Sequence, residues 1–207
     1  MDFYNSLLAQ KLSGGGGGGG DKYAAFKALV DDSLTEVTAE MLDGVTTINS
    51  YAFFQSANLT NVEVPDSVTI IGESAFNHCT SLSSIIIPNS VTTISDSAFV
   101  NCTSLSSIII PNSVTTIGIN AFAYDTNLLN IIIPNSVTKM GRNAFYGCSR
   151  LTIATVQATN PPTIGTSVFG GTHANLVIYV PSESVDAYKS ASNWSTYADR
   201  IQAIPSD

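Results

Sequence analysis

The chain has 207 residues, enough for one well-buried core and short of the roughly 250 beyond which chains divide into several. Sixteen acidic against eight basic residues give a net charge of −8, which weighs against nucleic acid or anionic lipid as a partner. With 12% charged and 44% hydrophobic residues, the composition also excludes a disordered chain and a charged coiled coil.

In chain order, residues 1–13 come first. Asp2 can cap a helix, and Phe3, Tyr4, Leu7, Leu8 and Leu12 fall on one face at i, i+3, i+4 spacing, which predicts a short amphipathic docking helix. A helix this short is marginal alone in water, so it should fold against a partner, a sister chain or a larger assembly. The opening has neither the basic start nor the apolar run of a secretory signal, and no stretch approaches the ~20 apolar residues of a membrane span. A cytoplasmic or virion-associated location is therefore expected over conventional secretion to a cell surface. Gly14 to Gly20 is an uninterrupted glycine run, costly in entropy to order, and reads as a linker. Residues 21–33 then predict an N-terminal cap helix, with Tyr23, Phe26, Leu29 and Val30 on its apolar face.

From residue 34 a repeat takes over. Ala-Phe recurs at Ala52-Phe53, Ala75-Phe76, Ala98-Phe99, Ala121-Phe122 and Ala144-Phe145, always 23 apart, and Val168-Phe169 follows one residue late. Pro65, Pro88, Pro111 and Pro134 keep the same spacing, as do Leu59, Leu82, Leu105, Leu128 and Leu151. In the unit from Ser81 to Thr103, alternation sends Ile85 and Ile87 inward and leaves Ser84 and Ile86 outward. Pro88 ends that strand, because it has no amide to donate. Val91 and Ile94 bracket a second extended piece. The column Asn49, Gly72, Ser95, Gly118 and Gly141 follows, predicting a turn with positive φ, after which Phe99 fills the coil interior. A single coil of this size cannot close a core, whereas stacked coils cover one another, so the fold class is a repeat solenoid over 34–180.

The pattern Leu82-x-x-Ile85-x-Ile87-Pro88, then Val91, Ile94, Ala98, Phe99 and Cys102, resembles the bacterial leucine-rich repeats of the BspA type. The resemblance implies a right-handed leucine-rich-repeat coil, with a parallel strand ladder on its concave side and helical caps at both ends. It also implies a non-enzymatic role in protein binding or adhesion, with a host or bacterial surface protein as partner. The short helix followed by a glycine run is similar to the openings of gut phage and prophage accessory proteins. That second resemblance implies an alternative: a virion or assembly accessory docked through residues 2–12 and displaying the solenoid, or self-association through the same helix.

Beyond the repeats, Asn160-Pro161-Pro162 interrupts the pattern and Leu176 to Val180 supply a last strand. Residues 181–207 should form a C-terminal cap, in which Val185, Tyr188, Trp194, Tyr197 and Ile201 suit a helical lid.

The search for chemistry finds little. There is no P-loop, no H-E-x-x-H and no G-x-S-x-G elbow, and the glycine run lacks the strand and helix that a dinucleotide fingerprint needs. His78 and His173 are the only histidines and lie 95 positions apart. Cys79, Cys102 and Cys148 share one repeat position, with Asp125 in place of the thiol in another coil, and read as a structural column. Cys79 and Cys102, on neighbouring coils, are close enough for a bridge under oxidation. Glu73 and Asp96 read as a solvated pair rather than a glycosidase dyad. No cofactor or metal is expected. No Lys or Arg occurs between Val68 and Thr138, which removes a phosphate-gripping stripe from the central coils. What remains is the outer surface of the strand ladder, and the candidate contact residues are Ser84, Ile86, Ser107, Ile109, Asn130, Ile132 and Tyr179. The competing reading is that the isoleucines only stabilise the strands by stacking on one another.

Overall fold

Each repeat lays down two short extended pieces joined by turns, and the next repeat lays its own upon them. The computed structural model describes residues 34–206. The expected docking helix, linker and N-terminal cap helix, all within 1–33, lie outside the described residues.

The first extended pieces are β1 (Glu36–Val37), β3 (Asn61–Glu63), β5 (Ser84–Ile86), β8 (Asn130–Ile133), β10 (Ile153–Val156) and β12 (Val177–Val180). The second pieces are β2 (Thr47–Ile48), β4 (Ile70–Ile71), β6 (Thr93–Ile94), β7 (Thr116–Ile117), β9 (Lys139–Met140) and β11 (Thr163–Ile164). Every pairing is parallel and joins equivalent repeat positions, as in Val62 to Ile85 and Thr93 to Thr116. A period of one full circuit brings like residues together, which is why the sequence columns become columns in space.

The two faces differ. The second pieces form one continuous six-stranded sheet in the order β11-β9-β7-β6-β4-β2. The first pieces, expected as one ladder, form two sheets, β1-β3-β5 and β8-β10-β12, the second extended by β13 (Ile201–Ala203). Between them the segment Ser107–Ile110 makes only a single bridge, Ile109 to Ile132. Local sequence does not cause the break, since Cys79–Ile94 and Cys102–Ile117 are identical and the first copy contains β5. The interrupted copy alone has isoleucine triplets on both sides, Ile85–Ile87 and Ile131–Ile133.

The interior is organised by phenylalanine. Phe53, Phe76, Phe99, Phe122, Phe145 and Phe169 are all buried. Their rings stack nearly parallel, with successive centroids 5.1, 5.2, 5.2, 5.2 and 5.6 Å apart. The last ring is closed off by Trp194 and Tyr197, which meet it at 6.2 and 5.6 Å. These come from the C-terminal cap, made of the helix α1 (Val185–Ser190), a 3-10 segment (Trp194–Arg200) and β13. The expected helical lid is thus partly strand, because Ile201 sits on β13 and pairs with Ile178 of β12. The cap aromatics satisfy their polar ends on the last coils: Tyr188 Oη donates to the Ala158 carbonyl (2.7 Å) and Trp194 Nε1 to that of Pro162 (2.8 Å).

Hydroxyls stitch the coils at their corners. Ser67, Ser90, Ser113 and Ser136 donate to the carbonyls of Val45, Val68, Val91 and Val114 on the preceding coil, at 2.7, 2.6, 2.6 and 2.8 Å. This is where the polarity missing from the charge count is used.

The glycine column works differently from expectation. Among the described residues, positive φ in the coils falls two residues later, at Tyr51, Ser74, Ser97, Asn120, Asn143 and Ser167, and again at Gln55, His78, Asn101, Tyr124, Gly147 and Gly171. Gly72, Gly118, Gly141 and Gly165 are required instead by close approach: a Cβ there would stand 2.6, 2.5, 2.4 and 2.4 Å from backbone nitrogens of the preceding coil. Where serine takes the place, the coil gives slightly, Ser95 N to Ile71 O being 3.2 Å against 2.8 Å for Gly118 N to Ile94 O. Gly118→Ala should therefore destabilise the fold by about 1–3 kcal/mol, as overpacking does. In urea titrations its midpoint should fall while that of Ser95→Gly does not; equal midpoints would place the glycine requirement elsewhere.

Candidate functional site

Alternation along the first extended pieces puts Ile85, Ile108, Ile110, Ile131 and Ile133 in the core and turns their neighbours outward. Ile86, Ile109 and Ile132 emerge in adjacent coils with 59%, 82% and 54% of their surfaces accessible. Ser84, Ser107 and Asn130 run beside them, also exposed. Six of the seven expected contact residues thus converge on one strip, and Ile153, exposed beside Asn130, extends it. Tyr179 stands farther along the same row, across Thr155 from Ile132, half-buried on β12 with Gln202 of β13 alongside. The docking-helix residues Phe3, Tyr4, Leu7, Leu8 and Leu12 lie outside the described residues.

On the six-stranded face a shallow groove of about 470 Å³ passes over Gly72 and Gly118, with Thr47, Thr93 and Thr116 among its lining residues. Its carboxylates are committed to neighbouring coils. Glu73 Oε1 accepts from Tyr51 Oη at 3.3 Å, and Asp96 Oδ1 accepts from the Ile119 amide at 2.6 Å. Among the described residues no group of three His, Cys, Asp or Glu side chains could hold a metal ion. Likewise, among those residues, no helix is long and apolar enough to cross a membrane.

The cysteines form the buried column read from the repeats. Each thiol donates to a phenylalanine carbonyl of the preceding coil: Cys79 to Phe53 (3.0 Å), Cys102 to Phe76 (3.2 Å) and Cys148 to Phe122 (3.1 Å). All three are free thiols, Cys79 and Cys102 included. Burial pushes the Cys79 thiol up to about 12 and the other two up as well, so none is a ready nucleophile.

Asp125 occupies the same column and is fully buried. Its Oδ1 accepts from the Cys102 amide at 2.8 Å, while Oδ2 has no partner. Loss of water around the carboxyl raises its pKa well above the usual range, against the smaller lowering effect of that amide. Because the folded pKa exceeds the unfolded one, the contribution of this carboxyl to stability is most favourable below about pH 4 and declines as pH rises toward the folded value. Asp125→Cys, which restores the column, should raise stability by about 1–3 kcal/mol at pH 7 and by less at pH 4. Urea midpoints at the two pH values check this, and an equal gain at both would contradict the burial account.

Coils stacked in register, a buried Leu and Ile framework and a Phe-x-x-Cys corner together define a repeat family. The family model for the BspA type leucine rich repeat region matches in 6 copies over residues 29–177. The chain belongs to the BspA-type leucine-rich-repeat family. Two solved bacterial structures show the likeness in three dimensions. A leucine-rich repeat protein from Bacteroides ovatus is 34% identical with a TM-score of 0.64, the match covering 70% of this chain and 37% of that one. The T. pallidum leucine-rich repeat protein is 26% identical with a TM-score of 0.61, covering 83% of this chain and 87% of that one. This BspA-type chain accordingly spans well under half the length of the Bacteroides protein. No curated protein matches the sequence significantly.

Proposed function

We propose that this BspA-type chain is a non-enzymatic protein-recognition module and that its strand face is the contact surface. The observation that carries the reading is the contiguous strip of Ile86, Ile109 and Ile132, exposed across three coils and bordered by uncharged Ser84, Ser107 and Asn130. Isoleucines needed only for strand stacking would be expected on a well-paired ladder, yet the most exposed of them sits where the pairing is interrupted. The strip's own residues carry no charge, Glu63 stands beside Ile86 at one end of the row, and the central coils carry no Lys or Arg, so the strip selects a largely apolar protein surface over a polyanion. In its finer form the reading is adhesion, with the partner on a host or bacterial cell surface.

Replacing Ile86, Ile109 and Ile132 together by Ser should shift the melting temperature by only a few degrees, because these side chains are already largely in water. Binding to epithelial and bacterial cells, measured by flow cytometry with labelled protein, should fall at least about tenfold, the loss expected when a few central anchors are removed. Unchanged cell binding by the folded triple variant would discard the strip as the contact surface.

A further inference from the structure

We propose that Asp125 is held as a neutral carboxylic acid in the folded chain, that its Oδ2 hydroxyl donates to the Phe99 carbonyl, and that this proton is a pH-sensitive lock on the seam between two coils. The other members of the column show what its position demands. Each sulfur has two backbone neighbours at fixed sequence distances. It faces the amide 23 residues back, that of Ser56 for Cys79, of Cys79 for Cys102 and of Asp125 for Cys148. It donates to the carbonyl 26 residues back, that of Phe53, Phe76 or Phe122. At Asp125 the same two neighbours are the Cys102 amide and the Phe99 carbonyl. Oδ1 takes the amide at 2.8 Å, so Oδ2, buried and without a partner, is the atom left for the carbonyl. As a carboxylate it would only accept, setting two oxygens against each other. As a carboxylic acid it carries the one hydrogen that a thiol supplies elsewhere in the column. An apolar site keeps a carboxyl neutral so that it can donate in this way.

The titratable groups facing Asp125 are the Cys102 thiol on the coil before it and the Cys148 thiol on the coil after it, both pushed up by burial, and no cation pulls the carboxyl's own pKa down. A carboxylate among them would be buried and uncompensated. The seam that the proton closes, between the coil starting at Cys102 and the coil starting at Asp125, is weakly paired on the first face. Where β8 and β10 share four registered pairs, this seam has the single bridge from Ile109 to Ile132, with β7 and β9 paired on the opposite face. Opening it brings Asp125 into water, where the carboxyl ionises above about pH 4. Each further pH unit then favours the open form about tenfold, until the folded carboxyl itself titrates. The isoleucine strip crosses the seam between Ile109 and Ile132, so opening divides it. The lock itself stands whatever the strip binds.

Nuclear magnetic resonance on the isotope-labelled full-length chain tests each part. The Asp125 Cγ resonance, which needs no variant, should hold the value of a protonated carboxyl at pH 7, and a carboxylate value there would overturn the proposal. The Phe99 carbonyl resonance should move upfield in Asp125→Val, which removes the donor, and hold in Asp125→Asn, whose Nδ2 donates in its place. A Phe99 carbonyl unmoved in Asp125→Val would overturn the assigned hydrogen bond. Amide exchange then reads the lock. The amides of Cys102 and Leu129 cross the seam to Asp125 Oδ1 and the Ser106 carbonyl, while that of Ser83 makes the equivalent bond to Thr60 two coils earlier. Relative to Asp125→Asn at the same pH, exchange at Cys102 and Leu129 should quicken about tenfold per unit between about pH 5 and pH 7, and exchange at Ser83 should not. A ratio independent of pH, or one that rises equally at Ser83, would overturn the lock.

Discussion

The structure depends on one constraint, that phenyl rings 23 residues apart must lie face to face. With centroids 5.1 to 5.6 Å apart and planes within a few degrees of parallel, each ring covers the face of the next. A buried phenylalanine contributes roughly 1.5–3 kcal/mol by leaving water, and an aromatic pair adds about 0.5–1.5 kcal/mol beyond the area buried. The common period keeps ring, register and strand pairings in step from coil to coil. The late sixth ring, Phe169, shows the tolerance: its contact is the longest of the series, and the cap aromatics then close the column.

Stacking at this distance also sets the other residue choices. Backbones of successive coils approach so closely at Gly72, Gly118, Gly141 and Gly165 that a side chain would collide with them. Backbone carbonyls left over at the corners are met by serine hydroxyls, and inside the column by thiols. A chain with few charges can therefore be well satisfied internally. Asp125 is the exception, a carboxyl in a place built for a thiol, with one oxygen left over.

Much of this could be read from the residues. The phenylalanine, leucine and proline columns announced a stacked coil, and alternation correctly turned Ile86, Ile109 and Ile132 outward. What escaped the sequence has physical reasons. Glycine is favoured both by positive φ and by close approach, and only the stacked neighbour reveals which applies at Gly118. The interruption at Ser107–Ile110 was illegible in principle, since the same sixteen residues form a paired strand one coil earlier and the difference lies in the neighbours. The strand β13 beyond Tyr179 was not legible either, because nothing in the C-terminal stretch marked Ile201–Ala203 as a further strand of the ladder.

The division of labour follows from the geometry. The interior column and the six-stranded face hold the coils together, while the interrupted face leaves apolar side chains in water. Stability and recognition thus draw on different residues, provided that the rings are coupled as stacked neighbours. A double-mutant cycle of Phe99→Leu and Phe122→Leu in urea unfolding measures that coupling directly, with Phe53→Leu and Phe145→Leu as a separated pair. The stacked column predicts a coupling of about 0.5–1.5 kcal/mol for the adjacent pair and additivity within roughly 0.3–0.5 kcal/mol for the separated one. Strict additivity in the adjacent pair would contradict it.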